Sequence, residues 1–185
     1  MIVLLVASCD LLKTRDSETP VGGIPANPPA YLPKTLIENL QSSFANKNAN
    51  EYEKLFSDTI SGGKQYIFIP TQKAAGSYAA FASSTTPWTK ESEITYFKNA
   101  MEKVGVAFTP IVSFSDVVET QIQADSALYA ADYSVFLPTK YVGHARFFML
   151  QKKNAGTWVI YRWEDFPSAK DSTLSWSDLK GQNSQ

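Results

Sequence analysis

Apolar residues return every three or four positions in the first half of this chain and every second position in its last third. In PKTLIENLQSSFANKN the apolar set is Leu36, Ile37, Leu40 and Phe44, one stripe of a helix that starts at Pro33. The polar run Asn46 to Asn50 breaks it. Asn50 is expected to cap a second short helix, EYEKLFS, with Glu51 in its first turn and Tyr52, Leu55 and Phe56 on its apolar side. Ser61-Gly62-Gly63 turns the chain into YIFIP, a short strand over Tyr66 to Pro70. The Ala-, Ser- and Thr-rich stretch 72–87 reads as a loop with a helical turn around Tyr78 to Ala82. A third helix starts at Thr89, carries Glu91 and Glu93 where an N-terminus favours acids, buries Ile94, Phe97, Met101 and Val104, and ends at Gly105. Beyond it the period drops to two. Segments 107–114, 117–124, 127–137, 141–152 and 157–166 read as strands joined by links short enough for hairpins. The order predicts an α+β fold, with about three N-terminal helices packed on a curved antiparallel β-sheet.

Two stretches stand outside that pattern. Ile2 to Ala7 is apolar but far shorter than the roughly 20 residues of a membrane span. It runs into Val6-Ala7-Ser8-Cys9, an aliphatic residue and two small ones ahead of the single cysteine, which resembles a bacterial lipobox. Such a string predicts cleavage before Cys9 and acylation of its thiol, so that residues 1–8 are the remnant of a lipoprotein signal peptide. Residues 9–32 follow as a tether with four prolines between Asp10 and Leu32, its last residues Tyr31 and Leu32 able to touch the body. The folded domain is expected over 33–168. The tail 169–185 holds SWSDLKG, a Ser-capped helical turn docked through Trp176 and Leu179, with Lys180 at the helix end where cations are favoured.

The pieces CDLLKTRDSETP, ENLQSSFANKNANEYEKLFSD, YIFIP, PWTKESEITYFKNAM, GHARFFMLQKKNAGTWVIYRWEDF and SWSDLKG, in that order, resemble a group of bacterial lipoproteins carrying a nuclear transport factor 2-like (cystatin-like) domain. The resemblance implies a cone-shaped fold with a pocket, anchored by lipid at the bacterial cell envelope. It implies no particular activity, because that fold hosts isomerases, dehydratases, cyclases and plain interaction domains.

Composition narrows the chemistry. With 17 Lys and Arg against 18 Asp and Glu, and no basic cluster, nucleic acid is not an expected partner. One Cys and one His give no metal set of the usual spacing, and no phosphate loop is present, so neither metal nor cofactor is expected. The last hairpin carries the candidate site. If Lys152 faces Thr157 and the register runs without interruption, Gly143, Ala145, Phe147 and Met149 share a face with Glu164, Arg162, Ile160 and Trp158. Gly143 and Ala145 then leave room in the cone beside Arg162, Glu164 and Trp158. His144 meets Asp165 on the other face, where Arg146 stacks near Trp163. A single bulge would exchange the faces beyond it and turn Trp163 and Asp165 toward the body. The leading expectation is a cone that binds a small ligand or serves an envelope protein as a scaffold, without catalysis. The alternatives are an isomerase, dehydratase or cyclase using His144 with Asp165, and a homodimer or assembly built on the outer sheet face through Phe148 and Tyr161.

Overall fold

The structure is a computed structural model, and it describes residues 26–59, 63–82, 87–169 and 173–185. Helix α1 spans Pro33–Ala45 and α2 spans Ala49–Glu53. Strand β1, Ile67–Ile69, leads to α3, Gln72–Ser77, and α4, Lys90–Val104. Four long strands follow: β2 Ile111–Gln123, β3 Ser126–Phe136, β4 Lys140–Gln151 and β5 Trp158–Pro167. Helix α5, Trp176–Gln182, closes the chain. Among the described residues the strands form one sheet in the order β1-β5-β4-β3-β2. It is antiparallel throughout its long strands, and β1 adds in parallel on β5.

The helix stripes bury as their spacing dictates, with two shifts. Asn48, not Asn50, caps α2, its side chain accepting from the Glu51 N–H. On α4 the buried stripe is Glu93, Tyr96, Phe97, Ala100 and Met101, so Glu93 takes the place expected for Ile94. The stretch after Pro70 is more ordered than its composition suggests. Thr71 caps α3 by accepting from the Ala74 N–H, and a 3₁₀ turn over Ala79–Phe81 follows. The two strands expected over 107–124 are one strand, kinked where Asp116 adopts φ 50° and the register with β3 slips between Ser115 and Val118.

The register that matters most is β4 with β5. It begins as alternation predicts, with Gln151 opposite Trp158, Leu150 opposite Val159 and Met149 opposite Ile160. It then slips, and Phe148 faces Arg162, leaving Tyr161 as the extra residue of a bulge. Beyond it every side chain of β5 changes face. Trp163 and Asp165 turn inward, at 0% and 3% exposure. Arg162 and Glu164 turn outward.

The core lies between the helices and the concave face of the sheet. It is built from aromatic rings: Tyr52 stacks on Phe97 at 3.9 Å, and Phe147 meets Trp163 at 4.7 Å. Residues 27–30 lie along the body. Asn27 donates from its backbone to Glu51 and from its amide to the Asn39 carbonyl, and the Trp158 N–H donates to the Ala30 carbonyl at 2.7 Å. Tyr31 and Leu32 stay exposed, so the arm's contacts come from the residues before them. Cys9 and the lipobox lie outside the described residues. No helix of the described residues is long and apolar enough to cross a membrane.

Candidate functional site

The cone interior, where a ligand would sit, is occupied by α5. Ser175 begins the helix with a capping box, its hydroxyl accepting from the Asp178 N–H while Asp178 accepts from the Ser175 N–H. The next two N–H groups have no partner within a helix. The body of the cone satisfies both. The Trp176 N–H donates to the Tyr133 hydroxyl at 2.7 Å, and the Ser177 N–H donates to Asp165 at 2.7 Å. Asp165 also accepts from the Ser177 hydroxyl at 2.5 Å and from Tyr133 at 2.7 Å. Burial raises the Asp165 carboxyl above its ordinary pKa, against the pull of these donors. Trp176 fills the centre of the cone, 4.5 Å from Trp163, 5.1 Å from Tyr133 and 5.5 Å from Phe44. Gly181 is held so close to the Tyr78 ring that an added Cβ would lie 2.3 Å from it, which fixes the depth of the helix.

Four residues after Trp176, one helical turn on, Lys180 follows it into the interior. Its side chain is wholly buried, and so is that of its partner Glu93, with Nζ 2.7 and 2.8 Å from the two carboxylate oxygens. Nζ also lies 3.6 Å from the ring centroids of both Phe68 and Trp163, and 5.4 Å from that of Tyr96. Glu93 accepts further bonds from Tyr52 at 2.7 Å, Tyr66 at 2.9 Å and the Trp88 indole at 2.7 Å. Tyr96 extends the network, 3.1 Å from the Tyr52 hydroxyl and accepting from the Trp176 indole at 3.0 Å. Burial lowers the Lys180 pKa to about 8, although Glu93 opposes the shift. Burial, with Glu93 beside them, pushes the hydroxyls of Tyr52, Tyr66 and Tyr96 well above the ordinary range.

The residues nominated from sequence are dispersed. His144 does not meet Asp165; it pairs with Asp132 at 2.8 Å on the outer face, opposite Phe166. Arg146 stacks on Phe166 at 4.9 Å rather than on Trp163. Arg162 and Glu164 form an ion pair outside the cone, with the Arg162 guanidinium over Phe148 at 5.4 Å. The bulge at Tyr161 causes all three differences. Gly143 and Ala145 do face inward, yet leave no room: a Cβ on Gly143 would lie 2.5 Å from the Tyr133 hydroxyl, and Ala145 is fully buried. Trp158 is buried at the edge of a cleft of about 280 Å³ beneath residues 27–30. Trp163 is the nominated residue that the structure brings to the centre. A larger cleft, about 650 Å³, lies at the margin between α3 and the end of β5 and is bordered by Lys73, Arg146 and Glu164. Among the described residues no cluster of His, Cys, Asp and Glu could hold a metal ion.

No protein-family model and no curated protein matches the chain. Solved structures do. An NTF-2 like protein of unknown function from Shewanella oneidensis superposes with a TM-score of 0.51 at 10% identity, over 71% of this chain and 93% of that one. A protein from Streptomyces avermitilis, provisionally named a dehydratase of the NTF2-like family, gives 0.54 at 7% identity over 74% and 94%. One from Novosphingobium aromaticivorans, provisionally named an aromatic ring hydroxylase, gives 0.54 at 10% identity over 78% and 92%. The chain therefore has the nuclear transport factor 2-like cone fold. At these identities the likeness extends to the fold and no further.

Proposed function

We propose that this protein is a non-catalytic recognition module held at the bacterial cell envelope by a lipid on Cys9. The observation that carries the reading is the filled cone: α5 lays Trp176 and Lys180 where a substrate would bind and ties up Asp165. The outer sheet face is then the surface on which an envelope protein or a second copy would dock; its β2 margin exposes Val118 and Ile122. One observation favours catalysis instead. Asp165 and Tyr133 form a buried acid–phenol pair inside the cone, a constellation suited to proton transfer. Ser177 caps that acid, so such an activity requires α5 to leave. Anchoring is tested in cells producing the chain behind a full signal peptide. Wild type incorporates labelled palmitate and sediments with membranes, whereas Cys9→Ser loses label and becomes soluble. Equal labelling of the two refutes the anchor.

A further inference from the structure

Lys180 is an expensive way to fill space. A methionine of similar length would pack against Phe68 and Trp163 without desolvating a charge, and buried ion pairs often contribute less than such a replacement. What surrounds Lys180 is nevertheless complete without it. Glu93 is held by Tyr52 from α2, by Tyr66 just before β1 and by Trp88 just before α4, none of them on α5. Phe68 on β1 and Trp163 on β5 present their ring faces from two sides at equal distance. An anion held by three donors and flanked by two aromatic faces is the arrangement that selects an ammonium ion.

The geometry points to the interior of the cone as a binding site for an alkylammonium group on an unbranched chain, filled here by Lys180 of α5 acting as a tethered ligand. This rests on the reading of the domain as a recognition module and adds to its outer face a second, concave site that opens when α5 leaves. Trp176 and Lys180 lie on one face of α5 and enter together, so the tether delivers an indole and an ammonium at once. A ligand arriving from outside must present the same ammonium and displace the helix.

The test uses the full-length chain with Cys9→Ser, which keeps it soluble and makes the result independent of anchoring. Lys180→Ala removes three methylenes and the ammonium, the volume of n-propylammonium. Thermal midpoints are measured against increasing n-propylammonium, with 1-propanol as the neutral match and sodium chloride at equal ionic strength. The amine should raise the midpoint of Lys180→Ala by about 3 to 6 °C once it exceeds its Kd tenfold. The alcohol and the salt should not. Adding Glu93→Gln should abolish the effect. If Lys180→Ala is unfolded in buffer, recovery of near-ultraviolet circular dichroism with the amine and not with the alcohol is the same result. Equal rescue by 1-propanol, or no rescue of either the midpoint or the dichroism, overturns the proposal.

Discussion

Exchanging Glu93 for Gln leaves the Lys180 ammonium buried with ring faces for company and no anion in contact. Two limits bracket the cost. Burial already lowers the Lys180 pKa although Glu93 pulls it up, so without that carboxylate burial drives the lysine toward the neutral amine at pH 7. The lower limit is then the loss of the close contacts to a charged acceptor, about 1.5 to 3 kcal/mol. The upper limit is a lysine that stays charged, for which breaking a buried pair from one side costs about 3 to 5 kcal/mol. Lys180→Met is a different loss. It leaves the carboxylate with three donors still in place, so it should destabilise less than Glu93→Gln. The double variant Glu93→Gln/Lys180→Met removes both charges and keeps the volume, and should return to within about 1 kcal/mol of wild type. Urea unfolding of all four proteins gives the cycle. A coupling of at least about 2 kcal/mol is expected. Costs that add within about 0.5 kcal/mol would show that the two charges do not depend on each other, and the account of the cone interior fails.

The faces of β4 give a second check by thermal denaturation. Ala145→Phe should cost about 1 to 3 kcal/mol, because Ala145 lies opposite Asp165 on the closed inner face. His144→Ala, which loses a half-exposed pair with Asp132, should cost about 0.2 to 1 kcal/mol; the reverse ranking would put His144 inside. The pH profile gives a third. A lysine whose folded pKa lies below its ordinary value binds fewer protons folded than unfolded, so stability should rise from about pH 8 toward 10. Above about pH 10 the trend reverses, because Tyr52, Tyr66, Tyr96 and Tyr133 hold their protons more tightly folded than unfolded. The rising limb should vanish in Lys180→Met, and its persistence there would assign it to another group.

The α+β order, the stripe of α1 and the docked tail were legible because each is a local pattern. The candidate site was not, for two physical reasons. In WVIYRWEDF no residue marks the bulge: Tyr161 fits a strand equally well paired or extra, and one unpaired residue reverses the faces of Arg162, Trp163, Glu164 and Asp165 together. The second reason is that Glu93 and Lys180 stand at helix ends, where charge already has an explanation in the helix dipole. Their partnership joins positions 87 residues apart, and no local pattern reports that. The signal available was periodicity. Glu93 is three residues before Tyr96 and four before Phe97, and Lys180 is four after Trp176, so both charges lie on apolar stripes.

A charge on the apolar stripe of one helix is a liability; one charge of each sign on the stripes of two helices is a prediction that the stripes meet. The bulge and the tail belong to the same solution. Without the slip at Tyr161, Trp163 and Asp165 would face solvent, Lys180 would lack one of its ring faces, and the Ser177 N–H would lack its acceptor. The residues that make the cone interior polar in its depths and aromatic at its walls are therefore the ones α5 needs in order to dock. The filled cone is thus a property of the sheet register as much as of the helix that fills it.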